Sequence, residues 1–329
     1  MVYSIKNKDL INLYKSSLRI RLVEETIAEK YIEKKMRCPT HLSIGQEAIS
    51  AAYGFNILES DFAISTHRAH AHYLAKGGSL KAMIAEIYGK SSGCAKGKGG
   101  SMHLIDRSIN FMGSSAIVGN SIPVGVGIGL AIKLKKTKQI STVFLGDGST
   151  EEGVFFESIN FASLKELPVL FVCENNLYSV YSPMSVRQPK NRDNCKIVEN
   201  MGVKSKKING YDIVESSKAF KLALGEIRKN SKPQYLEFST YRWREHCGPN
   251  FDNDIGYRTK DEYNLWKKND PIKHLYKKII SNDKVLKKEL DEIKNDINEE
   301  IKKAFLSAEN DSPPKLEEAY QGIYADEIL

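Results

Sequence analysis

The apolar positions Leu10, Tyr14, Leu18 and Leu22 recur every four residues, and Val23, Ile27 and Tyr31 continue the stripe. That spacing predicts an amphipathic helix from Leu10 to about Lys35, with Pro39 closing the element. Phe62–Ser65 reads as a short strand ending at Thr66-His67-Arg68, Leu80–Tyr88 as a helix, and Gly89–Gly100 as a Gly/Lys-rich loop. The run Gly119–Ala131 carries Gly119, Gly125, Gly127, Gly129 and Ala131. Residues this small let another backbone come close, within the fold or across a subunit interface.

The pattern is clearest in the middle of the chain. Ile140–Leu145 is an apolar, β-rich run, Glu151–Leu164 has a helical pattern, and Val169–Cys173 is a second apolar run. Strand, helix and strand within about 35 residues make a parallel βαβ unit with a right-handed crossover. Ligands of such sheets bind at the carboxyl ends of the strands. Here those ends carry Gly146-Asp147-Gly148 and Glu174-Asn175-Asn176. Further strands are expected at Tyr211–Val214 and Gln234–Ser239, and from Asp261 the pattern is helical and charged, with a tail from Ser312.

Composition narrows the class. With 41% hydrophobic and 27% charged residues, the 329-residue chain is globular in character, neither disordered nor collagen-like. Its +8 net charge is dispersed, and Asn282–Lys303 mixes Lys with Glu and Asp, which argues against a nucleic-acid-binding arm. Lys90, Lys96 and Lys98 leave a local positive patch suited to an anionic small molecule or an acidic partner. Apolar runs such as Val169–Cys173 and Thr142–Leu145 fall far short of the ~18 residues of a membrane span, so no membrane association is expected. The five cysteines form no Cys-x-x-Cys pair, and the N-terminus has no signal or transit pattern. Reduced thiols in a cytoplasmic protein follow as the expectation.

Several phosphate- and metal-binding patterns fail on inspection. Gly89-Lys90-Ser91 lacks the P-loop glycine, because position 84 is Ile, and Gly97-Lys98 is preceded by Ser92 and followed by Gly99. The glycines at 125, 127 and 129 are followed by Leu130, which breaks the dinucleotide fingerprint. His67, His70 and His72 have no carboxylate or cysteine spaced to complete a metal site, so polar contacts or core packing account for them. The two strand ends are more informative together. Asp147 offers a carboxylate, its flanking glycines allow close backbone approach, and Asn176, 29 residues on, offers an amide oxygen. One carboxylate with neutral oxygens suits Mg²⁺ shared with substrate phosphates, and a helix starting near Glu151 would point its N-terminus at them.

Gly146-Asp147-Gly148 with Asn175-Asn176 resembles the thiamine diphosphate motif. The surrounding sequence resembles the α subunits of heteromeric E1 components of 2-oxo acid and acetoin dehydrogenases. The matching blocks are His41-Leu-Ser-Ile-Gly-Gln-Glu-Ala48, Gly97-Lys-Gly-Gly-Ser-Met-His103, Ile117-Val-Gly119, Tyr257-Arg-Thr259 and Asp270-Pro-Ile272. They occur in order from about residue 10 to the C-terminus. Thr66-His67-Arg68-Ala69-His70-Ala71-His72 looks closest to the acetoin branch, since pyruvate-type members usually carry Tyr at the place of His67. Ala116 replaces a common Gly, Glu245 stands where the family usually has Gly before His246, and Cys247–Asp254 lacks the Ser-rich loop of pyruvate-type enzymes.

The resemblance implies an α/β thiamine-diphosphate-binding fold over residues 1–329, mainly parallel, with helices on both faces and helical extensions over about 1–36 and 261–329. It implies Mg²⁺ on Asp147, Asn176 and the backbone carbonyl of Tyr178, and the diphosphate on Arg68 assisted by His67. Gly146, Gly148, Ser149 and Val118 would line the cofactor. His246 would touch the diphosphate and carry a proton, and His41 would act in catalysis or order an interface loop. The aminopyrimidine-activating glutamate belongs to the β subunit in that family, so this chain is expected to need a β-type partner, as α₂β₂. The implied reaction cleaves a 2-oxo acid or acetoin and passes the acyl unit to a lipoyl-bearing acyltransferase. A thiamine-diphosphate-dependent carboligase with a β-type partner and a non-catalytic interaction module are the alternatives. A Glu245 carboxylate within ~4–6 Å of His246 would raise the imidazole pKa; otherwise Glu245 faces solvent or pairs with Arg242 or Arg244.

Overall fold

The computed structural model describes residues 5–36, 38–283 and 285–321; the first four residues and the tail beyond 321 lie outside the described residues. Strands β1 (Phe62–Thr66), β2 (Phe111–Ser115), β3 (Ser141–Gly146) and β4 (Val169–Asn175) are followed by a short antiparallel ribbon, β5 (Tyr178–Ser179) with β6 (Ser182–Pro183). Strands β7 (Lys204–Asn209) and β8 (Gln234–Ser239) complete one six-stranded sheet of order β2-β1-β3-β4-β8-β7, parallel at every pairing. This is the expected α/β architecture, and parallel strands of this kind need helices on both faces.

Alternation along the strands divides the core in two. Phe144, Leu170 and Val172 join a cluster with Leu13, Ile49, Phe220 and Phe305, from helices on one face. Val143, Leu145, Val169 and Phe171 pack on the other face with Ile122, Val126, Phe155 and Ile159. The extension helices Asn7–Lys30 and Leu286–Asn310 belong to the first cluster, the latter burying Leu290, Ile297, Ile301 and Phe305. No helix among the described residues is long and apolar enough to cross a membrane.

Most of the small-residue run lies in the helix Ser121–Leu134, where Gly125 and Gly129 serve close packing within the fold. A Cβ on Gly125 would sit 2.2 Å from Val143 Cγ2, and one on Gly129 2.4 Å from Val169 Cγ2, whereas Gly127 has nothing within 4 Å. Gly125→Ala is therefore expected to destabilise the chain by about 1–3 kcal/mol through overpacking, and Gly127→Ala to stabilise it by about 0.5–1 kcal/mol. Chemical denaturation of the two variants checks the opposite signs.

Several boundaries differ from the sequence-based expectation. Tyr211–Val214 is not a strand: Asp212 caps the helix Ile213–Asn230, accepting from the N–H groups of Val214 and Glu215. The strand lies earlier, at Lys204–Asn209, where only Ile208 is buried, so an edge position hid it from any apolar pattern. Phe111–Ser115, the other edge, was hidden the same way. The N-terminal helix ends at Lys30, followed by a 3₁₀ turn over Tyr31–Glu33 and a left-handed Lys34. The central helix begins at Gly153, because a 3₁₀ turn takes up Asp147–Glu151. The helix dipole thus starts beyond the strand-end loop and not at Glu151.

Candidate active site

The register sets Gly146 beside Glu174 and Asn175 beside Ser239, so the loops after β3, β4 and β8 open at one edge of the sheet. A cleft of about 600 Å³, counting its open mouth, is lined there by Thr66, His67 and Arg68 at the end of β1, Val118 after β2, Gly146–Ser149 at the end of β3, Glu174, Asn176 and Tyr178 at the end of β4, and His246 after β8. This is the carboxyl-end crevice at which parallel α/β sheets bind ligands. Every sequence-predicted site residue except His41 lines it. His41 packs behind, its ring 4.5 Å from that of His67 and 5.0 Å from that of His246.

One wall of the cleft is anionic. Asp147 is buried, and Oδ1 accepts from the Asn176 N–H at 3.3 Å while Oδ2 pairs with the Arg187 guanidinium at 2.5 Å. Burial raises the Asp147 pKa, opposed by Arg187. A buried carboxylate that recruits an arginine is a group that requires a cation. Asn176 Oδ1 accepts from the Tyr178 N–H at 3.2 Å, leaving one lone pair, and its Nδ2 donates to Gln46 at 3.1 Å. These oxygen donors fit a hard cation. Gly146 has open space where a side chain would stand, and a Cβ on Gly148 would meet Ser179 Oγ at 2.8 Å. The glycines keep that floor clear.

Another part of the lining is cationic. Arg68 is buried and donates to the carbonyls of Leu42 at 2.6 Å and His246 at 3.2 Å, which fixes its fork. Burial, then the neighbouring Arg242, bring its pKa down to about 10, so it stays charged. A pinned guanidinium of this kind matches an anionic oxygen group such as a diphosphate.

The imidazoles sort into two groups. His70 bonds Glu24 at 3.0 Å and Ser101 at 2.8 Å, and His72 bonds Ser65 at 2.7 Å and Glu174 at 3.1 Å while stacking on Phe144, so both are structural as expected. His41, His67 and His246 make no side-chain hydrogen bond among the described residues and are neutral. Burial first, then Arg68, bring them down to about 2, 3 and 2. The expected effect of Glu245 on His246 is overturned: the His246 pKa is lowered. The Glu245 carboxylate turns away and accepts from the Asn250 N–H at 2.8 Å, closing the 245–250 loop instead of pairing with Arg242 or Arg244. Arg242 is held by Val180, Tyr257, Arg244 and Asp252, and Arg244 lies over Phe251.

These lowered pKa values give stability a sign. Each of the three histidines takes up a proton in the unfolded chain below its ordinary pKa near 6.5 but not in the folded one, so their contribution is complete above that pH and declines as pH falls. The thermal midpoint is expected to drop between pH 7 and 5, and His67→Tyr to flatten that drop. Thermal melts across the range check it.

Four residues of the site escaped sequence reasoning. Gln46 bridges Glu174 and Asn176, within a quoted block but with no role assigned. Glu174 and His72 support it from below, and Arg187 arrives from the short helix Met184–Arg187 with no motif to announce it. The Gly-rich loop at 89–100 wraps the Glu86 carboxylate, which accepts from the N–H groups of Ala95, Gly97, Gly99 and Gly100. Lys90 and Lys98 donate to the carbonyls of Asp311 and Gln321, away from the cleft.

A parallel sheet whose strand ends bring the buried Asp147 carboxylate and the buried Arg68 guanidinium into one cleft defines an α/β protein with a charged ligand site at the carboxyl ends of its strands. The family described as dehydrogenase E1 component matches residues 15–317. The pyruvate dehydrogenase E1 component subunit alpha of Rickettsia bellii is 36% identical over 98% of this chain and 98% of its own length. The testis-specific mitochondrial form of Rattus norvegicus is 35% identical over 97% of this chain and 80% of its own, and the mitochondrial subunit of Dictyostelium discoideum 34% over 99% and 85%. The chain belongs to the dehydrogenase E1 component family, in its α-subunit type. It is a component of a thiamine-diphosphate-dependent oxidoreductase that acts on an oxo group. An E1 α chain implies a β-subunit partner, and neither the carboligase nor the non-catalytic alternative is favoured.

Proposed function

We propose that this chain supplies the diphosphate-binding half of a thiamine diphosphate site shared with a β-type subunit in an α₂β₂ enzyme, cleaving a short 2-oxo acid of the pyruvate kind. The observation that carries the reading is that Asp147 and Arg68 line one cleft at the carboxyl ends of parallel strands. Asp147, the Asn176 amide oxygen and the Tyr178 carbonyl would hold Mg²⁺, with Arg187 yielding the carboxylate to the ion. Arg68 would hold the diphosphate, with His67 beside it, and Gly146, Gly148, Ser149 and Val118 would form the floor and rim. When bound, thiamine diphosphate supplies the nucleophilic carbon and the electron sink for cleaving the bond beside the carbonyl.

His246 is the group placed to move a proton, with His41 packed against it to fix the ring. In the free chain Arg68 helps to depress the His246 pKa. An anion that offsets the Arg68 charge removes part of that effect and brings the imidazole toward its working range. The acyl unit would pass to a lipoyl-bearing acyltransferase. We assign the chain as one thiamine-diphosphate domain, and its five free cysteines support a reducing, cytoplasmic setting. Acetoin is the second reading for the donor, favoured by His67 where pyruvate-type members usually carry Tyr. A donor screen of the co-expressed α and β chains, with thiamine diphosphate and Mg²⁺, separates the two. Pyruvate consumption above acetoin consumption supports the first reading, and the reverse order the second.

A further inference from the structure

We propose that His41, His67 and His246 form a three-imidazole site for Zn²⁺, distinct from the oxygen donors of Asp147 and Asn176. One nitrogen from each ring lies within 4.8 Å of the others, and the ring centroids stand 4.5, 5.0 and 5.3 Å apart. Zinc binds imidazole nitrogen at about 2.0–2.1 Å, so three tetrahedral ligands lie about 3.4 Å from one another. The cluster must contract by about 1–1.5 Å at its widest pair. That contraction falls on half-buried His67 and His246, which sit on loops following β1 and β8, since His41 is buried.

Three further facts favour a metal over a chance gathering of rings. Nδ1 of His41 is buried with no hydrogen-bond partner among the described residues, although buried polar atoms are normally paired. The rings are neutral at physiological pH, so an ion need displace no proton. Imidazole sets of this kind suit Zn²⁺, Cu²⁺ and Ni²⁺, whereas Mg²⁺ prefers oxygen donors. Three protein nitrogens would leave the fourth position of a tetrahedral ion open, and the Arg68 charge, which acts on all three rings, favours an anionic occupant such as hydroxide or chloride. Opposing the site are that same charge and the absence, among the described residues, of carboxylates hydrogen-bonded to the rings, which limit its affinity. Zn²⁺ held here would take His67 and His246 out of the active site, making the ion a reversible inhibitor whose removal by a chelator restores activity. The three residues come from segments far apart in the chain, so no local motif announces them.

The test uses the full-length chain free of thiamine diphosphate, with Co²⁺ as a coloured substitute for Zn²⁺. The expected result is one equivalent of Co²⁺ with the intense visible bands of four-coordinate cobalt, displaced by stoichiometric Zn²⁺ and not by Mg²⁺. His67→Tyr and, independently, His246→Gln should each weaken Zn²⁺ binding at least tenfold, while Asp147→Ala leaves it unchanged. Having two His variants keeps the test decisive if one misfolds by circular dichroism. Weak six-coordinate bands, binding unaffected by both His changes, or loss of binding in Asp147→Ala would overturn the site. Because the readout is metal binding without cofactor or turnover, its failure leaves the assignment of the reaction standing.

Discussion

Replacing Asp147 with alanine is expected to weaken Mg²⁺-dependent thiamine diphosphate binding by the assembled α and β chains at least a hundredfold, about 2.7 kcal/mol. The carboxylate lines the cleft at the β3 end and is buried there. The fold should survive, because the change removes a carboxyl whose burial disfavours its charge, while Arg187 keeps its pairing with Glu151. Calorimetric titration of cofactor at several Mg²⁺ concentrations, beside a thermal melt, measures both effects. Unchanged affinity would end the metal assignment, and loss of the melt would show Asp147 to be a folding residue.

A larger kinetic effect is expected at His246. His246→Ala should lower kcat by about 10²–10⁴, the usual worth of a positioned proton carrier, while cofactor affinity falls less than tenfold. The division follows from the geometry: Arg68 is pinned by the backbone carbonyl of His246, which alanine retains, so the main cationic contact persists. His246→Gln should be equally slow, since an amide fills the space without carrying a proton. Steady-state kinetics with separately measured cofactor binding distinguish this from a structural role, which would lower both together. Glu245, by contrast, holds Asn250 within its own loop and should leave the pH–rate profile in place when changed.

What could be read from the residues alone divides along physical lines. The buried strands β3 and β4 are continuous apolar runs ended by Gly-Asp-Gly and Asn-Asn, so both the sheet and the loops that line the cleft were legible. The edge strands β2 and β7 bury few side chains and gave no apolar pattern, which is why Tyr211–Val214 was mistaken for the strand that precedes it. At the site, residues adjoining a motif were recognised, while Arg187 was not, because its role depends on the β5–β6 ribbon turning it back onto Asp147. The histidine cluster shows the same limit. His67, His70 and His72 look like a group in sequence, yet the sheet sends two into the core and joins the third to His41 and His246. The pKa of His246 was misjudged because sequence adjacency to Glu245 says nothing of side-chain direction, and burial beside Arg68 decides the sign.

The central claim is that this chain holds half of a shared site and works only with its β-type partner. It is tested most directly by thiamine-diphosphate-dependent decarboxylation of pyruvate, assayed with an artificial electron acceptor on the purified chain alone and on the co-expressed α and β chains. The expected result is turnover at enzyme rates, ~1–10³ s⁻¹, by the pair and none above background by the chain alone. Turnover at such rates by the isolated chain, or a pair inert toward every 2-oxo acid and acetoin, would contradict it.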